Sequence, residues 1–426
     1  MCLTLPAKVI WSDNYRAEIL AGGQKKIVAK GISDRLEKDD WVLFTSDYLI
    51  KKIDEIEAQE IFDLLGSYKP VATDDMAPEL RRTLEASAQR DLTVEEIEYL
   101  LTITDSAEQE ALFSQANVAR KANIKDHICI HGIIEFSSYC RNNCLYCGLR
   151  EENNGIRRYR LEPMEIIEAA TRAVEDKGYK ILVLQSGEDA WYGEDELIKI
   201  ITEIKKRTRV FIYLSIGDRS REEYQKLKLA GANGVLYRFE TSNSDLYAKL
   251  HPGDTLADRL NNLSMMRELG YVISTGPIIG LPGQTIRDLA NDILLMKELG
   301  TFMPSMGPFR PALGTPMGGA IDIKFDLVLK MIAVSRLVMP KARLPVTTAM
   351  ETLAQKDGLA IETARQKCFM AGANSVMFNL TPDKYRKDYC IYENKFFDAE
   401  KKYEKWGLFK GELSYQMLED ELGLTV

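Results

Sequence analysis

The chain has 426 residues, enough for one large domain and a smaller companion. Hydrophobic residues make up 45% and charged residues 28% of it, which excludes a disordered or fibrous chain. A formal charge of −8 argues against nonspecific nucleic-acid binding, and no apolar run approaches the roughly 20 residues that span a bilayer.

Residues 1–66 read as a unit of their own. VIWSDNYRAEILAGGQKKIVAKG alternates apolar and polar positions around the turn signals SDN and AGG, the pattern of short antiparallel strands. WVLFTSDYLIKKI reads as a further strand and DEIEAQEIFDLL as an amphipathic helix. The opening MCLTLPAKVI lacks the charged and apolar regions of a secretory signal, so the expected compartment is the cytoplasm. SYKPVATDDMAP, residues 67–78, has two prolines and no periodicity and is the expected linker.

From residue 79 to 426 the pattern is that of a second, larger domain. Thr93 and Glu96 have the spacing of a capping box ahead of an apolar run. Strand-like runs then alternate with helical segments: HICIHGIIEF, KILVLQS, RVFIYLSI, NGVLYRF, YVISTGPIIG, FMPSMGPF, RLPVTTAM and NSVMFN. Eight strands separated by helices predict an α/β fold, a (β/α)8 TIM barrel; an open doubly wound sheet is the alternative, because periodicity does not report closure.

The chemistry is concentrated in SSYCRNNCLYCGLR, which places Cys140, Cys144 and Cys147 in a C-x3-C-x2-C spacing directly after the first barrel strand. Structural zinc sites take four ligands, usually as two separated pairs, and no nearby His or Cys supplies the fourth here. Iron–sulfur clusters are held by thiolates, and three cysteines on a 4Fe–4S cluster leave one iron open to another ligand. Cys129 sits in an apolar strand and is expected to be a buried thiol. His127 and His131 are expected to serve packing or barrel-floor hydrogen bonds.

This loop resembles the radical S-adenosylmethionine superfamily, including the aromatic Tyr146 before the last cysteine. LQSGED, YRFETSN and GPIIGLPGQT follow in the superfamily's order. Within it, YCRNNCLYCGLR, VLQSGED, GLPGQT, TTAM and GAN-x-x-M-x-N-x-TP-x-x-Y resemble the HydE family of FeFe-hydrogenase maturases, and more loosely methylornithine synthase and biotin synthase. The resemblance implies a 4Fe–4S cluster on Cys140, Cys144 and Cys147, and S-adenosylmethionine cleaved at the open iron to a 5′-deoxyadenosyl radical. It implies cofactor contacts at Tyr146, Ser186, Glu240 and Arg259. Arg238, Thr347, Thr348 and Tyr385 match inner-cavity positions, with Arg238 and Tyr385 expected in catalysis and the two threonines at the substrate. An ion pair between Glu240 and Arg259 at the barrel rim is the structural alternative to a cofactor role. Three positions depart from the family: Phe239 replaces a usual histidine, Ala312 lies in a turn that is usually Pro-His-Pro-like, and Tyr213 replaces threonine, which would reshape the cavity.

MCL-x-x-P followed by DYLIKKIDEIEAQEIFDLL resembles the HypC family of NiFe-hydrogenase maturation chaperones, which implies an OB-like small β-barrel with a C-terminal helix. In that family the cysteine after the first methionine helps carry an iron centre, which makes Cys2 a candidate iron ligand; Thr45 stands where the family often has histidine. Together the resemblances imply an iron–CO–cyanide substrate, a ferredoxin or flavodoxin as reductant, and other hydrogenase maturation proteins as partners. A radical enzyme on an amino acid, like methylornithine synthase, and a non-catalytic iron–sulfur scaffold are the competing expectations.

Overall fold

The computed structural model describes residues 5–21, 24–30, 32, 34–45, 48–65, 76–124, 129–393 and 395. These fall into two compact units, one within residues 5–65 and one formed by residues 76–124 with 129–395. Of the linker expected at 67–78, residues 76–78 are described, and Pro78 already opens a helix, Pro78–Ser87. Proline is suited to that first helical position, where no backbone N–H is needed.

The smaller unit is a closed barrel of β1 (Leu5–Ser12), β2 (Arg16–Ala21), β3 (Gln24–Lys30), β4 (Trp41–Thr45) and β5 (Tyr48–Ile53), in the order β1-β2-β3-β5-β4 with β4 returning to β1. Alternation places Ala7, Val9, Ala17, Ile19, Val28 and Val42 inside. Each large aliphatic so buried contributes about 1.5–3 kcal/mol. The helix Glu55–Leu65 covers one side, seating Ala58 and Ile61 on Leu43 and Ile53.

The larger unit holds eight parallel strands: β6 (Cys129–Ser137), β7 (Ile181–Ser186), β8 (Phe211–Ser215), β9 (Gly234–Leu236), β10 (Val272–Thr275), β12 (Met303–Pro304), β14 (Pro345–Val346) and β15 (Ser375–Asn379). Their order, β12-β10-β9-β8-β7-β6-β15-β14, is a nearly closed ring. The two edges approach where Arg343 N–H donates to Phe302 C=O at 2.9 Å, just ahead of β14 and β12. The expected TIM-type barrel is therefore observed, and the open sheet is not. Two expected strands are interrupted: GPIIG and MGPF contribute a separate parallel pair, β11 (Ile278–Ile279) and β13 (Gly307–Pro308). β6 and β7 are buried on both faces, as parallel strands wrapped in helices must be. The Thr93–Glu96 capping box forms as expected.

The interior alternates by residue. Ile133 and Glu135 of β6 face the barrel lumen, whereas Ile134 and Phe136 are buried towards the helices. His131 is buried below, its Nδ1 3.1 Å from Ser375 Oγ, which is the packing role expected of it; His127 lies outside the described residues.

Candidate active site

The C-terminal ends of the barrel strands open onto a cavity of about 330 Å³, within the range of small-molecule sites. Cys140, Cys144 and Cys147 line it from the loop that leaves β6. That loop is fixed by backbone hydrogen bonds to three other segments: Arg141 N–H to Glu188 C=O, Leu145 N–H to Leu250 C=O, and Gly148 N–H to Ile391 C=O, at 2.9–3.1 Å. Arg158 clamps both of its ends, donating to Ser138, Leu149 and Arg150 carbonyls. Two glycines allow the close approach. A Cβ at Gly187 would lie 2.2 Å from Tyr139 O and 2.8 Å from Cys140 Cβ, and one at Gly148 only 1.9 Å from Cys390 O. The tight fit at Gly187 brings Glu188 N–H to 3.4 Å from Cys140 Sγ.

Burial, then the charge of their neighbours, pushes the cysteine thiols up: Cys147 to about 12 and Cys144 well above the usual range. A bound metal that takes the sulfurs as thiolates reverses that shift. Among the described residues no three His, Cys, Asp or Glu side chains converge on one ion. Three thiols on one short loop lining one cavity suit a polynuclear cluster, each of three irons taking one sulfur.

On one wall the polar groups are closed upon each other. Arg259, 7% exposed, donates from Nε to Tyr247 Oη (2.8 Å) and from Nη2 to Asp254 (3.2 Å), and pairs with Asp218 at 3.6 Å. Its guanidinium also lies over the Tyr237 ring at 4.2 Å. Tyr237 Oη hydrogen-bonds Asp218 Oδ1 and accepts from Asn262 at 3.1 Å.

On the other wall they are not. Glu240 has φ +66, in the left-handed region. Its Oε2 faces Arg238 Nε at 3.3 Å without hydrogen-bond alignment. Both atoms are buried and have no hydrogen-bond partner, as is Thr347 Oγ1. Thr347 occupies the N-cap of the helix Thr348–Lys356, yet its hydroxyl makes no capping bond. Native structures leave few such orphans, and those that exist ask for a ligand or other explanation. The alternative of a Glu240–Arg259 ion pair is not realised: Glu240 faces Arg238, while Arg259 is paired with Asp218 and Asp254.

Of the other expected site residues, Tyr146, Ser186 and Thr348 line the cavity. Ser186 Oγ donates to Gly187 C=O at 2.6 Å, and Thr348 Oγ1 lies 2.5 Å from Tyr392 Oη. Tyr385 lies elsewhere. It sits on the short helix Asp383–Arg386, stacks on Tyr159 at 4.8 Å and donates to Glu165 at 3.2 Å, and it does not line the cavity. The segment after it does, through Tyr389, Ile391, Tyr392 and Lys395. Lys395 pairs with the buried Glu135, whose other oxygen accepts from Asn379 at 2.8 Å. The sequence signal for Glu135 was a lone carboxylate inside an apolar strand; nothing local signals its partner 260 residues away.

The three family departures also find their places. Phe239 and Ala312 are buried outside the cavity lining. Tyr213 likewise does not line the cavity, its ring accommodated by Gly234, where a Cβ would meet it at 2.4 Å. Cys2 lies outside the described residues, and the side chain of Thr45 is likewise not described.

The Radical SAM superfamily profile matches residues 134–296, the Biotin and Thiamin Synthesis associated domain residues 305–401, and the HupF/HypC family residues 1–65. Barrel and cysteine loop thus define a radical S-adenosylmethionine enzyme. The chain is 43% identical to the [FeFe] hydrogenase maturase subunit HydE of Thermotoga maritima over 321 residues, 75% of this chain and 90% of that one. It belongs to the HydE family. It is also 28% identical to the 3-methylornithine synthase of Methanosarcina barkeri, over 71% of this chain and 83% of that one. The crystal structure of methylornithine synthase (PylB) superposes with a TM-score of 0.67 at 26% identity, covering 80% of this chain and 99% of the other. The superfamily implies a 4Fe–4S cluster and S-adenosylmethionine, and the Glu240 oxygen without a hydrogen-bond partner and the three clustered thiols fit both. Among the described residues no helix is long and apolar enough to cross a membrane.

Proposed function

We propose that this chain acts in hydrogenase cofactor assembly, on a small iron species carrying CO and cyanide. Cys140, Cys144 and Cys147 hold the 4Fe–4S cluster. Tyr146, Ser186, Glu240 and Arg259 contact S-adenosylmethionine: the glutamate suits its ammonium or ribose hydroxyls, the arginine its carboxylate. Arg238, Thr347 and Thr348 face the substrate. When bound and reduced, by a ferredoxin or flavodoxin, the cluster and its cofactor supply a 5′-deoxyadenosyl radical. The observation that carries the reading is the trio Arg238 Nε, Glu240 Oε2 and Thr347 Oγ1, buried without a hydrogen bond on residues that line the same cavity as the three thiols. Two of these donate and one accepts, so a ligand with both an anionic and a cationic or hydroxyl end satisfies them together.

A second reading, an amino-acid mutase step, is favoured by the likeness to 3-methylornithine synthase, because the same arginine and threonine suit an amino-acid carboxylate. Anaerobic incubation with S-adenosylmethionine and reductant separates the readings. A burst of 5′-deoxyadenosine that depends on a synthetic iron–CO–cyanide–cysteine complex supports the first, and dependence on lysine the second. Iron binding without any 5′-deoxyadenosine would leave only a scaffold.

The HypC-like unit is proposed to receive or deliver the iron species through Cys2. A tether on the same chain raises the effective concentration of that exchange without any new contact. Cys2→Ala should slow iron transfer to or from the barrel; unchanged transfer and turnover would defeat this assignment.

A further inference from the structure

His251 is 4% exposed and follows directly on the helix Ser244–Leu250. Its Nδ1 lies 3.5 Å from Cys144 Sγ and its Nε2 lies 3.2 Å from Tyr146 Oη. The ring stacks on Tyr247, centroids 4.3 Å apart and planes within 4°. The backbone fixes the same register, since Leu145 N–H, between the two loop residues that touch the imidazole, donates to Leu250 C=O at 2.9 Å. Ring, loop and helix end are therefore held as one assembly, and neither nitrogen has freedom to turn elsewhere.

The two contacts constrain each other chemically. Tyr146 Oη can donate to Nε2 only if that nitrogen carries no proton, and the ring proton then sits on Nδ1, aimed at the sulfur. A sulfur bound to metal is a thiolate and accepts it; hydrogen bonds to cluster sulfurs raise the reduction potential, because they stabilise the more negative, reduced form. The position also links to the far wall of the cavity: Tyr247, on which the ring stacks, accepts from Arg259 Nε and donates to Asp254.

We propose that His251 is a positioning residue that donates an Nδ1–H hydrogen bond to the Cys144 thiolate, with Tyr146 setting its tautomer, and so makes the iron–sulfur cluster easier to reduce. The proposal rests on the reading that Cys140, Cys144 and Cys147 hold a 4Fe–4S cluster.

The test is a potentiometric titration of the anaerobically reconstituted full chain, followed by the EPR signal of the one-electron-reduced cluster. His251→Phe keeps the stack on Tyr247 and removes both contacts. Its midpoint should fall by at least about 59 mV, a tenfold loss in the reduction equilibrium. His251→Asn places an amide N–H near the Nδ1 position and should restore most of the midpoint. His251→Gln reaches towards Tyr146 instead and should behave like the phenylalanine variant. Tyr146→Phe, which leaves the imidazole in place but frees its tautomer, should give a smaller fall. Equal midpoints for the asparagine and glutamine variants, or a wild-type midpoint in His251→Phe, would overturn the proposal. If His251→Phe does not retain the cluster, the asparagine–glutamine difference and Tyr146→Phe decide. A wild-type chain that holds no cluster would instead refute the reading of the three cysteines.

Discussion

Arg259 and Arg238 line the same cavity under opposite conditions. Arg259 arrives already held in place, with Tyr247, Asp218 and Asp254 around its guanidinium and the Tyr237 ring beneath it. Arg238 spends one nitrogen on the carbonyl of Pro277 and leaves Nε buried and unbonded beside an equally unbonded Glu240 oxygen. The first arrangement stabilises the fold and offers a ligand a rigid, prearranged wall. The second costs stability until something binds, because each unpartnered buried polar atom carries a desolvation penalty of about 1–3 kcal/mol. The difference divides the cavity into a wall that shapes and a wall that grips.

The largest effect is expected where the network is complete. Arg259→Met leaves Asp218 and Asp254 facing each other's charge without a cation. Removing one partner of a fully buried pair costs about 3–5 kcal/mol. Both acids are a quarter to a third exposed, so solvent screens part of that loss, and about 2–3 kcal/mol is expected by chemical denaturation. A variant as stable as wild type would erase the distinction between the walls.

Arg238→Met should move the larger effect from stability to turnover. Loss of the pairing with Glu240 and of the bond to Pro277 C=O should cost less stability than Arg259→Met does, about 1 kcal/mol, while substrate-dependent turnover falls by about 10- to 100-fold, the worth of one charge-assisted hydrogen bond at about 1.4 kcal/mol per decade. Cofactor cleavage in the absence of substrate should change far less. A stability loss as large as that of Arg259→Met would mean that Arg238 serves chiefly as the structural ion-pair partner of Glu240.

Glu240 sharpens the comparison further, because its strain and its function separate. Its φ of +66 is a conformation that glycine adopts freely and a glutamate only at a cost of about 1 kcal/mol or more. Glu240→Gly should therefore stabilise the unit by about 1 kcal/mol, and Glu240→Gln leave it unchanged. Both should weaken S-adenosylmethionine binding by about tenfold in equilibrium dialysis. A glycine variant that binds as well as wild type would reduce Glu240 to a turn residue.

How much of this was legible beforehand follows from distance along the chain. The cysteine loop, the capping box at Thr93 and all eight barrel strands rest on contiguous patterns, and they appear where periodicity and spacing put them. The Arg259 wall does not. Asp218, Tyr237, Tyr247, Asp254 and Asn262 come from different loops and helices and meet only once the barrel has closed. The breaks at GPIIG and MGPF were hidden for a related reason, since an apolar run does not report where its hydrogen-bonding partner changes. His251 was equally silent: one histidine after a helix becomes informative only when Cys144 and Tyr146 are brought to its two nitrogens.

The tyrosines near the C-terminal end of the barrel give the smallest and most discriminating contrast. Tyr385, Tyr389 and Tyr392 fall within eight positions, and motif matching selected the first. The short helix Asp383–Arg386 turns Tyr385 outward onto Tyr159 and Glu165, whereas the following segment crosses the cysteine loop at Gly148 and carries Tyr389 and Tyr392 into the cavity. Tyr392 meets Thr348 on the gripping wall, and Tyr389 accepts from Gln185 Nε2 at 3.1 Å. Tyr385→Phe removes only a partly exposed hydroxyl bond to a glutamate that Lys384 also holds, so turnover should stay within about twofold of wild type. Tyr392→Phe deprives Thr348 of its partner inside the cavity and should raise the substrate KM several-fold, about 0.5–1.5 kcal/mol for one neutral hydrogen bond. The reverse order of the two variants in a side-by-side turnover assay would return Tyr385 to the site.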